Sequence, residues 1–256
     1  MDRLKVEQRI TQQEKDVLME VLYNTEVVIA FDFTEKELFK PEVEPPYKIP
    51  MIQHEPWQAA NFRVPKALEG EIVDIVKKKL ECGSLEQCCR LYRNRWFLVP
   101  EKSGGYYLIN VAQGLNTITI KDTSLLPSSE EYSKDFVGFP LLSLLDLFSG
   151  YDQCELDPSS RDMTTFQTPP GLLQMTALPQ GYMNGVQVFD CVMTKILKDQ
   201  IAAGIGKPFI NDVAVKPVSR SKFLDKNGIP EEVATGIRKY VLEAIISIDK
   251  ILADIA

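Results

Sequence analysis

Two acidic positions in this sequence have the surroundings that metal chemistry requires. Asp146 lies near the end of the apolar run Leu141 to Leu147, and Asp212 follows Asn211 between two short apolar segments. A carboxylate in a buried strand is costly unless it is paired or serves a purpose. We therefore expect two strands to bring Asp146 and Asp212 together as oxygen ligands of a hard cation. The alternative for Asn211-Asp212 is an ordinary tight hairpin turn, since both residues tolerate positive φ.

Composition limits the class of protein. The chain has 256 residues, 45% of them hydrophobic and 25% charged, which is enough for one large domain or two lobes. Its net charge of -7 shows no general basic character for polyanion binding. Five scattered cysteines and no signal peptide favour an intracellular protein of the cytoplasm or nucleus, not a secreted one. No apolar run is long enough for the membrane, and a single histidine argues against a zinc site.

The first third of the chain predicts two helices separated by an extended arm. Residues 11–30 have helical periodicity, with Glu14 on the polar face. Five prolines between residues 41 and 58 exclude helix and predict an arm anchored by apolar side chains such as Ile52. Residues 66–82 predict an amphipathic helix with Gly83 as its C-cap. The lysines at the end of that helix are either solvated or contact phosphate.

The remaining elements predict an α+β protein. Arg95 to Pro100 and Tyr106 to Val111 form a hairpin with Lys102 near its tip, and a helix starts near Ser128. A strand, a turn and a second strand are expected between Arg161 and Leu173. After them come a loop, Leu178 to Gly185, a helix, the Asn211-Asp212 hairpin, and a last helix from about Ile237 to Ile255.

The order of these motifs resembles the reverse transcriptases of gypsy-type LTR retrotransposons, most closely the fungal lineages. The resemblance covers about residues 40–255 and rests on five segments: Arg95 to Phe97 with its hairpin, Leu115 to Asp122, Leu145 to Asp152, Arg161 to Phe189, and Phe209 to Val213. It implies a right-hand polymerase fold of fingers and palm, with an antiparallel palm sheet packed on helices, and we expect the thumb to be missing. The expected divisions are an arm, 1–60, and a reverse transcriptase domain, 61–256, with fingers about 61–120 and 152–178 and palm about 121–151 and 179–256. No RNase H, integrase or protease domain is expected.

The resemblance also implies the site and its ligands. Asp146, Asn211 and Asp212 match the catalytic positions of RNA-directed DNA polymerases, with two Mg²⁺ ions held by Asp146, Asp212 and the carbonyl of Leu147. Deoxynucleotides and a DNA or RNA primer-template are the implied partners. Four residues match substrate-binding positions: Lys102, Tyr151, Gln180 and Gly181. Tyr151 is either the ring that excludes a ribose 2′-hydroxyl or an ordinary core tyrosine, and Lys102 either binds triphosphate or is a solvated turn residue.

Several departures from the family pattern fall at functional positions. Asn211 replaces an aspartate, Tyr107 replaces an arginine that clamps the triphosphate, and Val111 replaces an aspartate. Met183 and Gly185 also replace the usual Thr and Ser. We consider three hypotheses: a working polymerase fragment, a degenerate domain that is impaired or inactive, and a non-catalytic module that binds nucleic acid or protein. A polyprotein or dimer partner remains open.

Overall fold

The computed structural model describes residues 10–30, 35, 38–100, 104–124 and 128–256. Within them the chain forms two compact units that alternate along the sequence. The first unit combines the described residues of 1–30, 126–147 and 190–256, and the second combines those of 31–125 and 148–189. The predicted limits of arm, fingers and palm stay a prediction.

Helices and antiparallel sheets alternate along the chain, which confirms the α+β class. The helices are α1 (Gln12–Asn24), α2 (Glu69–Glu81), α3 (Gln113–Ile118), α4 (Ser129–Lys134), α5 (Gly150–Gln153), α6 (Pro158–Arg161), α7 (Gly185–Ile196), α8 (Lys198–Ala202) and α9 (Lys239–Ile255). The strands are β1 (Leu85–Gln87), β2 (Trp96–Pro100), β3 (Tyr106–Asn110), β4 (Ser143–Asp146), β5 (Phe166–Thr168), β6 (Gly171–Met175), β7 (Gly206–Phe209), β8 (Asp212–Val215), β9 (Glu232–Ala234) and β10 (Ile237–Arg238).

The first unit is organised around the three-stranded sheet β4-β8-β7. One face of its central strand is buried, with Val213 and Val215 almost inaccessible to solvent. On the same side Gly206 gives α9 room to approach, because a Cβ there would lie 2.4 Å from Cδ1 of Ile251. The apolar stripe of α9 explains this packing, since its period of 3.6 residues aligns the side chains on one face.

Helix α1 packs in the same unit, and one of its predicted surface residues is buried. Glu14 forms a capping box with Thr11, and its Oε1 accepts a 2.8 Å hydrogen bond from Nε of Arg238. Nη2 of Arg238 donates to Oε2 at 2.7 Å. The expectation that Glu14 lies on the polar face is therefore wrong. Periodicity did not reveal a distant arginine that satisfies a buried carboxylate.

The second unit contains the sheet β1-β6-β5 and the separate hairpin β2-β3. Helix α2 closes a core around Ile72, Val76, Trp96 and Phe166. Gly83 follows the helix with φ of 70°, as its predicted capping role requires. The proline-rich arm lacks helix as predicted, but only part of it is anchored: Ile49 is buried and Ile52 is exposed.

Two predicted boundaries are wrong. The segment from Arg161 to Thr164 is helical, not a strand, because Asp157 caps α6 and Pro158 begins it. Ile237 lies in β10, where it pairs with Ala234, and α9 begins only at Lys239. No described helix is long and apolar enough to span a membrane.

Candidate functional site

The structure brings Asp146 and Asp212 together. Asp146 on β4 is the direct cross-strand partner of Asp212 on β8. The backbone N–H of Leu147 donates to the carbonyl of Asn211 at 2.9 Å. Because hydrogen-bonded and non-hydrogen-bonded pairs alternate in an antiparallel ladder, Asp146 and Asp212 form a non-hydrogen-bonded pair. Side chains of such a pair are closest and point to the same face.

Strand β4 is not the buried strand that the sequence predicts. It lies at the edge of its sheet, and its residues alternate between partly buried and exposed. Leu144 is 65% exposed and shares its face with Asp146. The apolar run therefore includes a face open to solvent, and Asp146 avoids the desolvation that a core carboxylate would suffer.

The turn that carries the site is displaced by one residue from the prediction. Phe209 pairs with Asp212, so the two loop residues are Ile210 and Asn211. Ile210, not Asn211, has positive φ, at 58°. A β-branched residue in that region is a conformational outlier. Asp212 is thus the first residue of β8, where the ladder fixes its direction, and Asn211 is exposed in the turn.

The two carboxylates interact electrostatically. Partial burial raises the pKa of Asp212, and the charge of Asp146 raises it further. Like charges opposite each other on a sheet destabilise the fold. A cation between them would remove that repulsion, so the pair has the electrostatic character of a cation site.

Sequence reasoning missed the residues that support this hairpin. The ring of Tyr132, on α4, lies 4.7 Å from that of Phe209. Its hydroxyl donates to the carbonyl of Lys207 at 3.1 Å, and the ammonium of Lys207 pairs with Asp135. Tyr132 is on α4 and Phe136 follows the helix end, and this spacing of four residues was a sequence signal that the two rings lie together.

Tyr151 lies on α5 in the second unit. Its ring is 5.5 Å from that of Phe189, and burial raises its pKa. Gly150 beside it has no room for a Cβ, which would lie 2.5 Å from the Phe189 ring. This packing fixes the ring of Tyr151, and its role against a 2′-hydroxyl stays a prediction.

Gln180 and Gly181 lie in an exposed loop that two asparagines hold. Nδ2 of Asn116 donates to the carbonyl of Gly181 at 2.9 Å, and its Oδ1 accepts from the N–H of Met183 at 2.9 Å. The buried Asn184 then donates to the carbonyl of Ile120 at 2.9 Å. Both asparagines were within recognised motifs, but their positioning contacts needed the tertiary structure.

The remaining predicted positions are in or near the hairpin β2-β3. Lys102 lies outside the described residues. Tyr107 pairs with Val99, and the N–H of Val111 donates to the carbonyl of Arg95 at 2.9 Å. Val111 follows the last residue of β3 and continues its alternation, so it lies on the same side as Tyr107.

The fold is that of a reverse transcriptase. The chain is similar to the foamy viral protease-reverse transcriptase in complex with dsDNA, with a TM-score of 0.76 and 18% identity, covering 96% of this chain and 47% of that chain. It matches the RNA/DNA hybrid complex with a TM-score of 0.74 and 18% identity, covering 96% of this chain and 30% of that chain.

Curated relatives agree with the fold. The Pol polyprotein of transposon 412 from Drosophila melanogaster is 31% identical over 146 residues, 55% of this chain and 12% of that protein. Those of transposons opus and gypsy, from the same organism, are 25% and 24% identical, covering 63% and 64% of this chain. The chain spans 16% of each of those two proteins. No family model matches the chain.

These comparisons confirm a reverse transcriptase-like domain related to LTR retrotransposon Pol polyproteins. The fungal lineage and the roles of the site residues stay predictions.

Proposed function

We propose that two-metal nucleotidyl transfer is impaired or lost in this reverse transcriptase-like domain. The observation that carries the proposal is the hairpin itself: Asp146 and Asp212 are paired across the sheet, and the adjacent turn position is Asn211. The site keeps two carboxylates and has a neutral amide where the related polymerases have a third.

The residues present fit a hard cation incompletely. Asp146, Asp212 and the carbonyl of Leu147 would hold Mg²⁺, which accepts a few protein oxygens and completes its shell with water or phosphate. When bound, the metal stabilises the attacking and leaving oxygens of phosphoryl transfer. Among the described residues, no group of three or more acidic, histidine or cysteine side chains is arranged to hold a metal.

Asn211 limits the site because its amide carries no negative charge. An amide oxygen can contact one cation, but it is neutral and bridges two cations poorly compared with a carboxylate. Loss of an indirect metal partner costs about 10–100-fold. Loss of a shared ligand costs more, so the barrier rises by more than about 2.7 kcal/mol.

Two further substitutions fall at positions that, in the family the chain resembles, carry charged side chains for the reaction. A phenol at Tyr107 supplies neither the charge nor the bidentate geometry of an arginine toward triphosphate. Val111 removes a second charged position from the same strand face. Nucleic acid remains the ligand class that the fold favours, and the foamy viral enzymes were solved with double-stranded DNA and an RNA/DNA hybrid.

Reversion of these positions tests the proposed cause. We would measure primer extension on an RNA template with Mg²⁺ and deoxynucleotides for the unmodified chain, Asn211→Asp, and a triple variant that adds Tyr107→Arg and Val111→Asp. Primer extension should be slowest for the unmodified chain, more than about 100-fold faster for Asn211→Asp, and fastest for the triple variant.

The matched control is Asp212→Asn in the triple variant, which should abolish any gain. Extension by the unmodified chain equal to that of Asn211→Asp would contradict the proposal. A triple variant that stays inactive while its fold is intact would show that these three substitutions are not the cause.

A further inference from the structure

Helix α1 is attached to its unit by a charged residue more than by an apolar core. Glu14 is the only fully buried residue of this helix, with an exposed fraction of 0%. The apolar residues Val17, Leu18 and Val21 are only partly buried where they pack beside Tyr240 on α9. Because hydrophobic stabilisation scales with the apolar area removed from water, these contacts alone hold α1 weakly.

The buried carboxylate of Glu14 is fully hydrogen-bonded. Besides the two bonds from the guanidinium of Arg238, Oε1 accepts the backbone N–H of Arg238 at 2.9 Å. The backbone N–H of Thr11 donates to Oε2 at 2.8 Å. Burial by itself would raise the pKa of Glu14, but the hydrogen bonds and the charge of Arg238 lower it below its ordinary value. The carboxylate is therefore held in its charged form.

The arginine of this pair lies at a junction. Arg238 ends β10 and is the N-cap residue of α9, and its guanidinium carbon lies 5.2 Å from the ring centroid of Tyr240. Next to it, Oγ1 of Thr11 donates to the carbonyl of Gly236. Gly236 has φ of 77°, and a Cβ there would lie 2.8 Å from Oε1 of Gln13. The start of α1 therefore fits closely against the residues that lead into α9.

Helix α9 connects this junction to the hairpin that carries Asp212. It packs against β8, and Ile251 near its other end occupies the space that Gly206 leaves on β7. All of these elements belong to the first unit. Because packed side chains leave few voids, a displacement at the start of α9 is transmitted to the strands beneath it.

We propose that α1 is a strap, locked by the ion pair of Glu14 and Arg238, and that opening this lock loosens the hairpin β7-β8. The lock joins segments 224 residues apart in the sequence. Removing one partner of a buried ion pair leaves an uncompensated charge, which costs far more than losing a surface pair. The attachment of the strap therefore depends on one pair of residues. It involves no metal and no nucleotide, so it stands or fails separately from the proposed catalytic defect.

Hydrogen exchange of the full chain, resolved by peptide, tests the proposal. Glu14→Gln should speed exchange in α1 and β10 by about 100-fold, because an amide cannot neutralise the guanidinium. Exchange in β7 and β8 should rise by about tenfold through α9. Strands β5 and β6 of the second unit should be unchanged. The matched control is Glu20→Gln, at an exposed glutamate of the same helix, which should have no effect.

A double-mutant cycle tests whether the two residues act as a pair. Arg238→Gln alone should resemble Glu14→Gln. The double variant should exchange no faster than either single variant, because it contains no unpaired buried charge. Arg238→Lys keeps the charge but loses the forked geometry, so it should speed exchange less. If Glu14→Gln does not fold, Arg238→Lys decides the proposal.

The proposal is overturned if Glu14→Gln and Glu20→Gln exchange alike, or if α1 is released while exchange in β7 and β8 stays unchanged. It is also overturned if the effects of the two single variants multiply in the double variant. An equal rise in both units would show global unfolding instead of release of the strap, and would contradict it too. Primer extension by the unmodified chain would contradict the proposed function and leave these exchange rates unaffected.

Discussion

The hairpins β2-β3 and β7-β8 have the same local architecture, but the side chains on their outer faces differ in chemistry. Each is a pair of antiparallel strands with one face buried in its own unit. The outer face of β7-β8, extended by β4, carries Asp146, Asp212 and Lys207, and Tyr132 of α4 covers part of it at Phe209. The outer face of β2-β3 carries Phe97, Val99 and Tyr107.

The difference between the two faces is one of charge. Asp146 on β4 and Asp212 on β8 repel one another, and Tyr132 on α4 packs against β7 in the same unit. The hairpin β2-β3 has no such repulsion, because its outer side chains are uncharged except for Arg95. Its outer face instead exposes the apolar surface of Phe97, Val99 and Tyr107.

The largest expected difference is between substitutions on the buried and the outer face of β2, measured as the change in the free energy of unfolding. Trp96→Ala should lower the free energy of unfolding by about 3–5 kcal/mol, because it removes a large core side chain. Phe97→Ala, at the adjacent position, should change it by only about 0.5 kcal/mol. Urea unfolding followed by circular dichroism measures both. Similar losses would mean that the outer face is packed, which would invalidate the comparison.

The contact between α4 and β7 should contribute less to the free energy of unfolding. Tyr132→Phe removes the hydroxyl that donates to the carbonyl of Lys207 and should cost about 0.5–1.5 kcal/mol. Tyr132→Ala should cost more, since it also removes the ring beside Phe209. Thermal and urea unfolding are the measurements. No loss for either variant would show that α4 does not stabilise this hairpin.

The turn of β7-β8 should gain stability when its outlier is relieved. Ile210→Gly should raise the free energy of unfolding by about 0.5–1 kcal/mol, because glycine adopts positive φ without a Cβ clash. Asn211→Gly is the control and should give no gain, since Asn211 is not among the positive-φ residues. Equal gains in urea unfolding would place the strain elsewhere in the turn.

The smallest expected change in the free energy of unfolding comes from relieving the repulsion between Asp146 and Asp212. The folded state raises the pKa of Asp212, so it holds that proton more tightly than the unfolded chain. Ionisation therefore lowers stability as pH rises from the ordinary carboxyl pKa through the folded one. Asp212→Asn should stabilise the fold at neutral pH by about 0.2–1 kcal/mol.

That gain should disappear as pH falls below the ordinary aspartate pKa of about 3.9, where the Asp212 side chain of the unmodified chain is protonated and also uncharged. Urea titrations at several pH values provide the test. A loss of stability at neutral pH would show that Asp212 has a favourable partner. Asp146→Asn should relieve the same repulsion.

Much of the structure of these two hairpins was predictable from the sequence, and the features that were not have physical causes. Alternation and turn residues predicted the hairpin β2-β3, and the strand pairing of Asp146 with Asp212 followed from the apolar runs around them. The burial of Glu14 was not predictable, because it depends on Arg238, which is distant in sequence. The turn shift to Ile210 contradicts residue preference, so only the pairing of Phe209 with Asp212 reveals it.

The site was predicted less completely than the fold. Spacing identified the carboxylates, but not Tyr132, Asn116 or Asn184, whose contacts join segments that are distant in sequence. The exposure of β4 was also missed, since an apolar run does not indicate which of its faces is covered.

The most direct test of impaired catalysis compares the unmodified chain with a variant that lacks an essential ligand. Single-nucleotide incorporation on an RNA template would be measured for the unmodified chain and for Asp146→Asn, with saturating Mg²⁺ and deoxynucleotide. We predict rates that differ by less than about tenfold, because Asn211 has already removed most of the metal-dependent chemistry. A rate for the unmodified chain more than about 100-fold above that of Asp146→Asn would contradict the account and show a working polymerase.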